Sequence, residues 1–236
     1  MAPSLKLRRR QGRRDVVHVR EGVPVTDPRY RLGVKPPNAG KKYPAEILTR
    51  DEIRALMRAC GHRSNTAARN QALIVVLWRC GLRVAEALAL MPKDVDLVLG
   101  TVAVLHGKGD QRRIVGIDPE AAAVVGRWLE RRAALGLNGR HPLFCTVARP
   151  MRGGKLWDSY VRERLHELGE KAGIEKRVHP HGLRHTHATE LVREGVPLTV
   201  IRRQLGHNRL DTTQRYVDHL TPKDVIDAMQ ARTWAP

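Results

Sequence analysis

Apolar positions recur at helical spacing from Thr49 onward, where Ile53, Leu56, Met57 and Cys60 stand at i, i+3, i+4 and i+7. Thr49 and Glu52 precede them with the spacing of a capping box, which predicts a helix start. The next segment, about 66–80, holds the run Ala72 to Trp78 and is apolar nearly all round, the pattern of a central buried helix, with Gly81 suited to its end. Between 95 and 117 the period changes from helical to alternating. Val102 and Val104 lead into a turn at Gly107-Lys108-Gly109-Asp110, and Arg112 to Ile117 returns as the second arm of a hairpin. Asp118 and Pro119 suit the cap and first turn of a helix running through Trp128 to about Leu135. Pro142 to Cys145 reads as one short strand, and 158–172 as an amphipathic helix carrying Val161, Leu165 and Leu168, closed by Gly173. Pro197 opens a short helix that ends at Leu205, and Gly206 turns the chain. Asp211 or Thr212 caps a further helix that bears Tyr216. A last one starts at Thr221-Pro222, with Asp224 completing its cap pattern and Val225, Ile226 and Met229 on one side. The sum is a mainly α fold with a small antiparallel β-sheet.

Residues 1–45 depart from this pattern. They carry Pro3, Pro24, Pro28, Pro36, Pro37 and Pro44 among Lys6, Arg8, Arg9, Arg10, Arg13 and Arg14, with no helical period, and read as a basic tail and extended linker ahead of one domain at 46–236. The formal net charge of +19, from 43 Lys and Arg against 24 Asp and Glu in 236 residues, favours a polyanion partner, most simply nucleic acid. Aromatic residues are only 4% of the chain, which disfavours a stacking platform for single strands and leaves double-stranded DNA as the better target. The tail lies along that DNA or is a solvated charge run. Cys60, Cys80 and Cys145 form no CxxC pair, and their odd number argues for a reducing, cytoplasmic setting. No apolar run follows the N-terminal arginines as a secretion signal would require, and the run 72–78 is too short to span a bilayer, so no membrane association is expected.

The chemistry concentrates between His181 and Tyr216, in His-Gly-Leu-Arg-His (181–185), Leu-Gly-His (205–207) and Thr-Thr-Gln-Arg-Tyr (212–216). Arg184 offers a planar fork of donors to a phosphate, and His181 and His207 can each donate a hydrogen bond or move a proton. Tyr216 is the candidate nucleophile; its phenol, with a reference pKa of about 10, attacks at neutral pH only where its proton is taken or its charge stabilised. Upstream, Arg83 follows the central helix, Glu86 lies three residues later, and Lys108 sits at the hairpin tip. Taken singly, Arg83 reads as a surface arginine, Lys108 as a turn residue and Tyr216 as a core tyrosine. Glu86 is either an orienting partner of an active-site cation or part of a surface ion pair. His179, His181, His185 and His187 do not make a zinc site by spacing: Gly182 stands where a His-Glu-x-x-His motif has Glu, with no cysteine near and no completing carboxylate. Neither Gly40-Lys41-Lys42 nor Gly153-Gly154-Lys155 has the form of a P-loop, so no metal, nucleotide or other cofactor is expected.

Arg83, Lys108, His181, Arg184, His207 and Tyr216 stand in the order and at spacings that resemble the tyrosine recombinase family, the phage-integrase-like site-specific DNA recombinases, from about residue 46 to the C-terminus. The resemblance implies the catalytic domain of a DNA breaking and rejoining enzyme, independent of metal and ATP. Arg83 and Arg184 would hold the non-bridging oxygens of a phosphodiester, His207 would add a hydrogen bond, His181 would receive the tyrosine proton, Lys108 would protonate the leaving 5′ oxygen, and Tyr216 would become joined to the 3′ phosphate. It also implies a tetramer on double-stranded DNA, no small-molecule substrate, and a bacterial, archaeal or phage origin. Such proteins carry a helical core-binding domain before the catalytic one. Residues 1–45 are too few and too proline-rich for it, which leads us to expect a truncated or minimal recombinase. A type IB topoisomerase-like nicking and resealing activity, or a DNA-binding regulator on the same fold, are the alternatives.

Overall fold

The computed structural model describes residues 5–8, 17–20, 46–105, 112–206 and 229–230. The chain divides into two compact units, 1–44 and 45–236. In the first, β1 (Leu5–Arg8) pairs antiparallel with β2 (Val17–Arg20), Leu5 opposite Arg20 and Leu7 opposite His18. The tail reading does not anticipate this pairing. Leu-Lys-Leu-Arg and Val-His-Val-Arg do alternate apolar and polar residues, the period of a strand, but over stretches too short to stand out from the flanking arginines and prolines.

The second unit opens with α1 (Arg50–Ala59), and its capping box is formed: Thr49 Oγ1 accepts from the Glu52 amide at 3.2 Å, and Glu52 Oε2 accepts from the Thr49 amide at 2.7 Å. Helix α2 (Asn65–Arg79), capped by Ser64, buries every residue from Ala72 to Leu77 and packs against α4 (Pro119–Ala134) and α6 (Pro180–Arg193). It is surrounded because its stretch from Ala72 to Leu77 is apolar all round and leaves no polar face there to turn outward. A short α3 (Val84–Ala89) and a 3₁₀ turn at Pro92–Asp94 lead into a three-stranded antiparallel sheet of β3 (Val95–Asp96), β4 (Thr101–Val104) and β5 (Arg113–Gly116), in that order. Val102 faces Val115 across the ladder, and both are buried against the helices. The fold is thus mainly helical with a small antiparallel sheet, as the periodicity predicts.

Pro142 to Cys145 is not a strand. Cys145 makes one isolated bridge to Lys155, while Leu143, Phe144 and Cys145 are wholly buried. The Leu143 amide donates to Leu90 O at 2.7 Å and its carbonyl accepts from Trp128 Nε1 at 2.9 Å. These residues are apolar because they plug the core between helices, a role that periodicity over four positions cannot separate from a ladder. Helix α5 (Asp158–Lys171) precedes α6, and α7 (Leu198–Leu205) follows it, held on α6 by Ile201, Leu205 and Ala188. Met229 and Gln230 are helical and exposed; Asp211, Thr212 and the expected start of the last helix, from Thr221 to Ile226, lie outside the described residues.

One junction fixes how these helices meet. Gly81 ends α2 with φ +62°, and a Cβ there would lie 2.5 Å from His187 Cδ2 and 2.9 Å from Leu205 Cδ2. The turn from α2 to α3 therefore rests directly on α6 and α7, which brings Arg83 to the same place as Arg184.

Candidate active site

Arg184 lies on α6 and is 2% exposed. Its Nη1 donates to the Gly81 carbonyl and its Nη2 to the Leu205 carbonyl at 2.7 Å. Both acceptors are at helix C-terminal ends, where carbonyls lack intrahelical partners and the dipole is negative, so one guanidinium joins the ends of α2 and α7. Helix α6 is capped by His179, whose Nδ1 accepts from the Gly182 amide at 2.7 Å, and Pro180 occupies the first turn, where a missing amide costs nothing. His181, one turn before Arg184, stays exposed at its edge, with its ring centroid 4.2 Å from that of His185. Partial burial first, then the positive charges of Arg184, His179, Arg83 and Arg162, hold its imidazole below the ordinary histidine value. A neutral ring of this kind is a proton acceptor near neutral pH.

Arg83 caps α3 and is about one-third exposed, its side chain at 32%. Its partner is Glu86, whose side chain is 3% exposed. The Arg83 amide donates to Glu86 Oε2 at 2.9 Å and Arg83 Nη1 to Oε1 at 2.7 Å. A second guanidinium reaches the same carboxylate from β5: Arg113 Nη1 donates to Oε1 at 2.9 Å and Nη2 to Oε2 at 2.8 Å. Burial alone would push the Glu86 carboxyl up. The hydrogen bonds from Arg113 and from the Arg83 amide outweigh it, together with their charges, and hold it at about 2. Arg83 Nη2 also points to the Gly206 carbonyl at 3.5 Å. Gly206 itself is left-handed, with φ 65° and ψ 50°, and ends α7 as the sequence suggests.

The fold thus gathers Arg83, Glu86, Arg184 and His181 around the ends of α2 and α7. Lys108, His207 and Tyr216 lie outside the described residues. Sequence reasoning missed Arg113. The available signal was an inverted strand: Ile114 points outward at 70% exposed while Arg113 shares the inner face with buried Val115, and a charge on the inner face of a strand needs a partner. Three guanidiniums against one carboxylate leave the cluster positive, suited to an anionic guest. Among the described residues no group of His, Cys, Asp and Glu could hold a metal ion, and no helix is long and apolar enough to cross a membrane.

Residues 46–222 match the model of the phage integrase family. The chain is 38% identical over 200 residues to tyrosine recombinase XerC of Halalkalibacterium halodurans, which covers 81% of this chain and 63% of the relative. It is 36% identical over 191 residues to tyrosine recombinase XerA of Thermococcus kodakarensis, covering 79% of this chain and 64% of the relative. The chain therefore spans about three-fifths of the length of these relatives. Among solved structures, a XerA recombinase crystal structure superposes with a TM-score of 0.69 at 32% identity, over 88% of this chain and 73% of that one. A XerH site-specific recombinase bound to its difH substrate before cleavage does so at 0.63 and 28%, over 81% and 55%. With its motifs in order, its fold shared and three-quarters of its length under one family model, the chain belongs to the phage integrase family of tyrosine recombinases.

Proposed function

We propose that this chain carries the catalytic part of a site-specific DNA recombinase, which cuts and rejoins duplex DNA through a 3′-phosphotyrosyl link. The Tyr216 phenol oxygen attacks the scissile phosphorus and the P–O5′ bond breaks. The tyrosine proton passes to His181, and the Lys108 ammonium gives a proton to the departing 5′ oxygen. One phosphate ester replaces another, so the reaction draws on no nucleotide. The 5′ hydroxyl of a partner strand reverses the attack and joins two DNAs. Four protomers on a four-way junction complete the exchange, in the cytoplasm. The observation that carries this reading is the paired guanidiniums. Arg83, the more exposed, meets the non-bridging oxygens, while Arg184 lends its charge from beneath, pinned to the carbonyl of Leu205 just ahead of Gly206 and His207. Such fixed charges stabilise a pentacoordinate phosphorane without reorganising.

The test is a suicide duplex, nicked so that the cleaved strand diffuses away, carrying the cognate site. Wild type leaves a denaturant-resistant protein–DNA adduct and Tyr216→Phe leaves none; equal adduct from the two proteins would remove Tyr216 as nucleophile. Strand transfer between two sites separates recombination from the relaxation of supercoils by single molecules.

A further inference from the structure

We infer that Arg113 is a positioning residue for Arg83, acting through the buried carboxylate of Glu86. The inference rests on the reading of Arg83 as the phosphate-holding cation.

Glu86 accepts four hydrogen bonds, two at each oxygen: Arg83 Nη1 and Arg113 Nη1 at Oε1, the Arg83 amide and Arg113 Nη2 at Oε2. That accounts for all the acceptor sites of a carboxylate. The division of labour is unequal. Arg113 holds Glu86 with both arms of its fork and is 12% exposed, whereas Arg83 touches it through one Nη and remains 32% exposed. A carboxylate left alone with one arginine favours the two-pronged pairing, which is geometrically the stronger. By occupying one site on each oxygen, Arg113 bars that pairing, so Arg83 keeps its second Nη turned toward the Gly206 carbonyl. Take Arg113 away, and Glu86 rotates to engage Arg83 with both oxygens, drawing its charge off the phosphate.

Arg113 is itself fixed to the same end of α7. Its Nε donates to Gln204 O at 3.4 Å, and its Cζ lies 2.8 Å from the place a Cβ would take on Gly206. Gln204 extends the join, its Oε1 accepting from the Gly116 amide and its Nε2 donating to the Gly116 carbonyl, each at 2.9 Å. Strand β5, which resumes five residues after Lys108, is thereby tied at both ends to the segment that leads into His207.

The experiment is single-turnover adduct formation on the suicide duplex with the full chain. Arg113→Gln is expected to slow it about 30-fold or more, the scale of a small misplacement of a catalytic charge, with duplex binding within about 3-fold of wild type. In an Arg83→Ala background the same change adds less than about 3-fold, because the residue it positions is gone. Arg113→Lys, which keeps the charge but not the fork, recovers only part of the rate. A penalty that persists undiminished in the Arg83→Ala background overturns the inference, as does a wild-type rate in Arg113→Gln. If Arg113→Gln does not fold, Glu86→Gln serves in the same cycle, with the same expectation. Failure of wild type itself to form the adduct would instead remove the reading on which this rests.

Discussion

Two buried arginines look alike and join different parts of the chain. Arg132 and Arg184 are 3% and 2% exposed, and both spend their donors on backbone carbonyls. Arg132 on α4 gives them to Leu137, Asn138, His141 and Pro142, all within one loop that follows its own helix. Arg184 gives them to Gly81 and Leu205, residues far apart in the chain, and stands beside His181 and Arg83. Burial depresses Arg132, whose carbonyl partners carry no formal charge, while Arg184 adds its charge to a cluster that already has an excess. Depth and bonding do not identify a functional cation. What it connects, and which other charges share its surroundings, do.

Substitution should pull the two apart, and the largest effect falls on chemistry. Arg184→Ala is expected to lower the rate of adduct formation by about 10²- to 10³-fold, measured per folded molecule on the suicide duplex. Arg132→Met should leave that rate within about 3-fold while lowering unfolding stability by about 3 kcal/mol, since several buried carbonyls lose their donor; chemical denaturation reads it. The comparison fails if Arg132→Met loses rate as Arg184→Ala does.

The histidines of α6 sharpen the same distinction with smaller effects. In the proposed mechanism His181 must be neutral to take a proton, and its pKa is depressed by burial and by the neighbouring guanidiniums. Cleavage should therefore persist below pH 6.5 and decline only as the solution falls through the lowered value. A decline beginning above the ordinary histidine range would assign the proton to another group. His187, two turns on and 4% exposed, is pushed down to about 3, first by burial and then by Arg79 and Arg184. Its unfolded form binds a proton near pH 6.5 and its folded form does not, so folding stability falls as pH drops from there toward about 3, by at most about 1.4 kcal/mol per unit. Denaturation of His187→Gln against wild type should show a shallower slope over that window.

Most of the fold was legible because it rests on long, strongly patterned segments: the apolar run 72–78 of α2, the capped α1 and α4, and the alternation of β4. The juxtaposition of Arg83, Glu86 and Arg184 was legible through motif order. What escaped was short or inverted. Leu143 to Cys145 is apolar as a plug, β1 and β2 alternate over too few residues to outweigh their surroundings, and Arg113 hides a charge on the inner face of a strand whose apolar Ile114 faces water. Pattern rules place charge outside, so a buried ion pair that spans distant segments is where they fail.

Gly81 narrows what this chain can become. Even alanine there would drive a methyl group into His187 and ask a residue with a side chain to hold a left-handed backbone. The same residue offers the carbonyl that Arg184 grips. Mutational drift at this point has nowhere to go, because one hydrogen atom in place of a methyl keeps three helices in contact and the cation beneath them aimed.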